Sequence, residues 1–256
     1  MKTKSIGFIG GGRVTKIFLQ AFTNKKHEFD SVVVFDTNPE VLQALKQQFP
    51  AVEAGDLMQA ASQATVFIAL HPPMIMETLD KIAGAVSAEA LVVSLAPKIT
   101  IEKIASKLKT KSMARMIPNA TSYINEGYNP VTFSTGFIQM EKSELMDLLE
   151  LLGTTFEVPE AKLEAYAMLS AMLPTYFWFQ WKELVSLGEP MGLSEDETKA
   201  AVRQTVQDAL DLYFDHGLSP EKVIDLIPVK PIGEHEAQIA EIYQTKLMGL
   251  FGKIKP

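Results

Sequence analysis

Residues Lys4–Phe18 read "KSIGFIGGGRVTKIF". The run "SIGFIG" predicts a short buried strand, and "RVTKIFLQAF" carries apolar residues at helical spacing. Between them Gly10 and Gly12 stand two apart. In a strand–turn–helix unit the first glycine lets the chain turn tightly. The second lets the backbone approach a pyrophosphate, and the helix N-terminus supplies unpaired N–H groups and partial positive charge. The third position of such a turn normally holds Gly or Ala, but here Thr15 occupies it. Its β-branched side chain predicts a slightly wider helix–strand gap without loss of the turn. Alone, the pattern reads either as a dinucleotide cradle or as a tight turn with no ligand.

The surrounding chain favours the cradle. "SVVVFD" predicts a second β-branched strand ending at Asp36, 24 residues after Gly12. A carboxylate there is placed to accept hydrogen bonds from an adenosine ribose. "DTNPE" is also turn chemistry, so Asp36 reads as ribose ligand or as turn residue. Asn38 predicts an N-cap with Pro39 in the first helical position of "NPEVLQALKQQF". "TVFIAL", "ALVVSL", "SMARMIP" and "PVTFS" predict further strands, and "PPMIMETLDKIAGAV" a helix. Continuous apolar strands alternating with helices imply a doubly wound, mainly parallel α/β sheet of Rossmann type.

After Pro159 the strand signal stops. "EAKLEAYAMLSAMLPTYFWFQWKELVSLG" is a helical pattern interrupted by Pro174. "SEDETKAAVRQTVQDALDLYFDHG" opens with Ser194 and Glu197 in capping-box spacing and closes on Gly217. "SPEKVIDLI" and "EHEAQIAEIYQTKLMGLF" predict two more helices. The expected organisation is therefore a dinucleotide-binding domain over 1–158 and an all-helical domain over 159–256.

Composition limits the function classes. The net charge is −7 and the longest basic runs are pairs, which argues against nucleic acid. No apolar stretch approaches the roughly 20 residues of a membrane span. There is no Cys, so disulfides and thiolate metal sites are excluded, and no His pair has metal-ligand spacing. "IGFIG" is too short for a secretory leader and flows into glycines, so a cytoplasmic protein is expected. His27 and His216 fall near element ends and read as solvated.

With these segments placed, the chain resembles pyrroline-5-carboxylate reductase, the family that makes proline, over nearly its whole length. "IGFIGGG" matches that family's opening. "ALHPPMIMETL" matches a segment usually carrying Val-Lys-Pro. "LVVSLAPKITIEKI" matches one usually ending Ala-Ala-Gly-(Ile/Val)-Thr, and "ARMIPNATSYINEGYNPVTFS" one built on Met-Pro-Asn-Thr. "LSAMLPTYFWFQWKELVSLGEPMGLSEDET" matches the helix with Gly-Ser-Gly-Pro-Ala-Tyr. The resemblance implies a Rossmann-type domain, an interlocked homodimer through the helical domain, and hydride transfer to a C=N carbon of a small cyclic imino acid. It implies cofactor roles for Gly10, Gly12, Asp36, Leu70, His71, Pro72, Ala96 and Asn119. Arg13 and Val14, directly after Gly12, and Thr37 and Asn38, directly after Asp36, are further candidate cofactor-binding residues.

NAD or NADP is the implied cofactor. A 2′-phosphate about 4 Å from Asp36 meets repulsion of roughly 4 kcal/mol at an effective dielectric of about 20. A hydrogen bond to the 2′-hydroxyl contributes about 1.5–3 kcal/mol, so NAD is favoured. Arg13 or Lys16 would soften that preference.

The departures fall where the family's substrate sits. Its Ser-Pro-Gly-Gly-Thr-Thr loop aligns with "KPIGEH", where Lys230 replaces the Ser and Glu234 and His235 the two Thr. Lys98 replaces the Gly before Ile99, His71 the Lys before Pro72, and Ala171-Met172-Leu173 the glycine-rich entry to Pro174. Two readings stay open. Lys230 binds an acid group while His235 or Glu234 handles a proton, or "GEHE" is only the charged first turn of the last helix. Asn119 reads as a ligand amide or a loop cap. The aromatic run Tyr176 to Trp181 reads as helical core or dimer interface, with Tyr176 at the family's pocket tyrosine. Two alternatives to a reductase remain: a dinucleotide-binding sensor or structural dimer, and a β-hydroxyacid dehydrogenase-like enzyme using Lys182.

Overall fold

The computed structural model describes residues 2–256. Two compact units divide the chain: Met1–Ala171 with Phe251–Pro256, and Met172–Leu250. The first is built on one eight-stranded sheet ordered β3-β2-β1-β4-β5-β6-β7-β8. Its strands are β1 (Ser5–Ile9), β2 (Ser31–Phe35), β3 (Val52–Ala54), β4 (Thr65–Ile68), β5 (Leu91–Ser94), β6 (Met113–Met116), β7 (Gly127–Phe133) and β8 (Gly153–Glu157). Pairing is parallel from β3 through β6. β7 runs antiparallel to β6, and β8 is parallel to β7. The six parallel strands have the doubly wound order in which the sheet reverses between β1 and β4.

Both faces are covered, as continuous apolar strands require. On one face Phe8, Val93 and Met116 pack under α1 (Arg13–Asn24), α2 (Pro39–Gln48) and α6 (Gln139–Glu150). Phe8 stacks on Phe67 at 4.9 Å, and Phe18 of α1 meets both rings edge-on. On the other face Ile9, Ile68 and Val92 pack under α3 (Leu57–Ala61), α4 (Pro72–Ile82) and α5 (Ile101–Ala105). Asn38 caps α2 through Glu40 N–H at 2.9 Å, as its place before Pro39 predicts.

Two strands and three helices were not expected from sequence. β3 has three residues, two of them exposed and one a glutamate, so it lacks the apolar run that marks a buried strand. β8 is an edge strand buried only at its centre. Helices α3 and α5 are five residues long, too short for a periodic signal. In α6 the buried positions include Glu141, which interrupts the apolar stripe.

The expected boundary near 159 and the observed division after Ala171 differ by a dozen residues. The segment between folds onto the first unit: Leu163 of α7 (Leu163–Tyr166), Ala167 and Met168 pack with Ile117 and Val158. Strand signal ends at β8, but apolar packing does not.

The second unit is helical: α8 (Pro174–Ser186), α9 (Glu195–Asp215), α10 (Pro220–Asp225), α11 (Glu236–Ile242) and the start of α12 (Met248–Ile254). The Ser194–Glu197 capping box forms in both directions, Gly217 follows α9 with φ +69°, and Ser219 caps α10. Among the described residues of this unit only Gly188 and Thr198 are buried. They mark one close helix contact: a Cβ on Gly188 would lie 1.9 Å from Thr198 Oγ1. No described helix is long and apolar enough to cross a membrane.

Candidate functional site

The glycine turn sits at the carboxyl end of β1, where the strand order reverses. Gly10 has φ +105°, and a Cβ there would lie 2.4 Å from the Ala69 carbonyl oxygen. Only glycine fits. Its N–H donates to Phe35 O at 2.8 Å, so the turn is tied to β2 on one side and abuts the end of β4 on the other. Gly12 is the N-cap of α1, has open space above its Cα, and offers no side chain to cap the helix. The first N–H groups of α1 therefore face an unobstructed approach, which fits a pyrophosphate.

Thr15 does more than fill the third position. It is fully buried, and its hydroxyl donates to Gly10 O at 2.6 Å. The side chain that departs from the small-residue rule pins the turn it was expected only to crowd.

Asp36 binds the same turn. One carboxylate oxygen accepts from Gly11 N–H at 2.8 Å and the other from Asn38 N–H at 2.8 Å. Its turn role is thus realised, and each oxygen keeps a free lone pair. Arg13 and Lys16, with Gly11, Gly12, Val41 and Gln48, line an adjoining cavity of about 270 Å³. Thr37 and Asn38 are exposed beside Asp36, and Val14 is half-buried in α1. Leu70 is half-buried at the end of β4. His71 is the exposed N-cap of α4 and makes no side-chain cap, with Pro72 next to it.

After β5, Ala96 is buried and Lys98 holds a left-handed backbone with φ +75°. Forcing a non-glycine residue there costs roughly 1 kcal/mol. A carboxylate secures it: Glu164 accepts the Lys98 N–H at 3.0 Å. Glu164 is itself paired at 2.6 Å with Arg115, a fully buried guanidinium on β6. Arg115 also reaches Glu160 at 2.8 Å, and Glu160 accepts the Ile101 N–H that opens α5. This buried ionic network was missed in the sequence. The visible signal was one arginine inside the otherwise apolar "SMARMIP".

Asn119 is almost fully buried, and its amide is engaged inside the protein. Its oxygen accepts from Thr121 N–H at 3.0 Å and from the Thr121 hydroxyl at 2.8 Å. Its nitrogen donates to Ser170 Oγ at 3.1 Å, and Ser170 donates to Tyr128 O. The loop-capping reading is realised, and one amide hydrogen is left for a ligand.

In the second unit, Lys230, Glu234 and His235 are all exposed. Gly233–His235 forms one 3-10 turn running into α11, and the His235 ring nitrogen lies 3.6 Å from the Glu234 carboxylate. The backbone thus has the form of a charged first turn. Burial, with the neighbouring Tyr243 charge second, raises the pKa of the Tyr176 hydroxyl. Lys182 lines a separate cavity of about 550 Å³ with Glu189 and Glu195. Among the described residues no acidic or histidine cluster could hold a metal ion. His27 is not solvated as expected: its ring packs against Phe22 and Phe29, and its Nε2 is buried without a partner.

Comparison with known proteins agrees with this geometry. A family model described as NADP oxidoreductase, coenzyme F420-dependent, matches residues 5–98. Pyrroline-5-carboxylate reductase of Corynebacterium melassecola is 25% identical over 252 residues, covering 96% of this chain and 93% of that protein. The Plasmodium falciparum pyrroline carboxylate reductase, solved with NADP bound, superposes with TM-score 0.74 at 16% identity, over 99% of this chain and 95% of that one. The Coxiella burnetii pyrroline-5-carboxylate reductase does so with TM-score 0.70 at 23% identity, over 98% and 94%. Sequence similarity and fold similarity to pyrroline-5-carboxylate reductases thus both run nearly end to end.

Proposed function

We propose that this protein is an NAD(P)H-dependent reductase acting on the C=N carbon of a small cyclic imino acid, and that it works as a homodimer through its helical unit. The observation that carries the cofactor part is the uncapped N-terminus of α1 above Gly12, with Asp36 fixed beside it by two backbone N–H groups. A bound nicotinamide dinucleotide would supply the hydride. Gly10 and Thr15 hold the turn in shape. The α1 N–H groups would neutralise the pyrophosphate, and the free lone pairs of Asp36 would accept the ribose hydroxyls. Ala96 and the spare amide hydrogen of Asn119 would border the nicotinamide end. Lys230, Glu234, His235 and Tyr176 are the groups of the helical unit proposed for substrate binding and proton transfer.

NAD is proposed over NADP. Asp36 repels a 2′-phosphate, while Arg13 and Lys16 attract one, so the preference is a balance of three charges. Asp36→Ser should shift the kcat/KM ratio toward NADPH by about tenfold or more. An unchanged ratio would make Asp36 a turn residue alone. The dimer rests on the exposed apolar side chains of the helical unit, Met191 at 73% and Phe214 at 71% among them. Such a surface needs a cover, and a second copy supplies one.

A second reading is a dinucleotide binder without turnover. It is favoured by the engagement of the Asn119 amide within the protein and by the exposed 230–235 turn. Steady-state assays with NADH and NADPH against pyrroline-5-carboxylate separate the two. Turnover supports the reductase. Cofactor binding by calorimetry without reduction of any cyclic imine supports the binder.

A further inference from the structure

We propose that Lys98 is a substrate-binding residue whose ammonium receives the carboxylate of the cyclic imino acid. The proposal rests on the reductase reading above. Among the described residues three non-glycine residues have positive φ: Lys26, Lys98 and Asn125. Two have local reasons. Lys26 lies one residue past the C-cap of α1, a position that is commonly left-handed. Asn125 is a cap whose amide bonds Ala21 O and Leu151 O. Lys98 ends no helix. It lies in the loop between β5 and α5, at a position where the resembling family carries glycine.

A lysine held in glycine's conformation needs a support and a use. The support is visible: Glu164 takes its N–H, and buried Arg115 fixes Glu164. The use lies in the side chain. Lys98 is exposed between buried Ala96 and half-buried Thr100, with Ile99 also buried. Among the described residues its ammonium has no carboxylate partner. The loop follows β5, the strand beside β4, and the end of β4 abuts Gly10. Lys98 therefore stands on the edge of the sheet where ligands of doubly wound folds bind. The chain also lacks the Ser and Thr of the family's carboxylate loop, having Lys230, Glu234 and His235 there instead. A small anion still needs a donor, and a lysine is a compact point charge suited to it. Strained backbone kept for the sake of one side chain is characteristic of binding sites.

Lys98→Gly tests this without endangering the fold, because glycine suits the backbone and its N–H still reaches Glu164. The NAD⁺-saturated full chain is titrated calorimetrically with L-proline, which carries the carboxylate, and with pyrrolidine, which does not. Lys98→Gly should weaken L-proline binding by about tenfold or more and leave pyrrolidine unchanged. Lys98→Arg should restore most of the L-proline affinity, and the thermal midpoint of Lys98→Gly should equal or exceed that of the wild type. Equal losses for both ligands, no loss for either, or a wild type that binds no L-proline would each overturn the assignment. A wild type that binds L-proline through Lys98 but reduces no cyclic imine would instead refute the reductase reading and leave the Lys98 assignment standing.

Discussion

The two units treat apolar side chains in opposite ways. In the sheet unit Ile6, Phe8, Phe18 and Phe67 are wholly buried, and even charged Arg115 and Glu164 are taken inside in pairs. In the helical unit Phe179 is 66% and Phe214 71% exposed, and burial is confined to Gly188 and Thr198. The difference separates two sources of stability. A sheet with helices on both faces closes its own core within one chain. Helices that keep large apolar residues outside bury too little to offset the entropy of ordering them. On the proposed homodimer, the second copy would cover these side chains, whereas the sheet unit already buries its own.

The largest expected effect breaks that contrast directly. Phe179→Glu with Phe214→Glu removes two phenyl groups per chain from the proposed interface. Each is worth about 1.5–3 kcal/mol of burial, so dimerisation should be lost in sedimentation at micromolar protein. The wild type should unfold at a midpoint that rises with protein concentration. A wild-type monomer with a concentration-independent midpoint would show that the helical unit stands alone.

Next in size is Arg115→Met. It leaves Glu164 buried with no counter-charge, and Glu160 loses the same partner. Removing one member of such a group costs about 3–5 kcal/mol. Denaturant titration should show that loss, and the added Glu164→Leu change should recover much of it, because a charge then no longer sits unpaired. A cost below about 1 kcal/mol would mean that the network contributes little to the sheet unit.

A smaller effect sharpens the account of the glycine turn. If Thr15 acts through its hydroxyl, Thr15→Val strands the Gly10 carbonyl and costs about 1–3 kcal/mol. Thr15→Ser keeps the donor and loses one methyl, worth about 0.8 kcal/mol. If packing mattered more, the order would reverse. Denaturation midpoints of the two variants decide it.

The sequence made the parallel strands, the glycine turn and the Asn38, Ser194 and Ser219 caps legible, since each depends on a few adjacent residues. β3, β8 and α6 escaped because short edge elements and a buried Glu141 break the periodic signal. The Arg115–Glu164–Lys98 network was invisible for a different reason. Its bonds join residues 49 and 66 positions apart, and nothing local in "PEAKLEAY" says that its carboxylates turn inward. Thr15 was legible as a departure, but its partner, the Gly10 carbonyl, is known only once the turn closes.

The smallest effect concerns His27, inside the sheet unit. Its Nε2 is buried without a partner, its ring lies 4.7 Å from Phe29, and burial, then repulsion from Lys4, hold its pKa below the usual 6.5. The folded state thus favours neutral His27, while the unfolded chain takes up a proton from about pH 6.5 downward. The stabilisation is complete above that value and is lost as pH falls through the lower folded pKa. Wild type should therefore lose more stability than His27→Phe between pH 7.5 and 5.5, by a small amount because the residue is only partly buried. Unfolding midpoints of the two proteins at both pH values check the sign. A wild type that gains on His27→Phe as pH falls would require the folded state to prefer the imidazolium. Neither an unpartnered buried nitrogen nor a neighbouring ammonium would favour that charge.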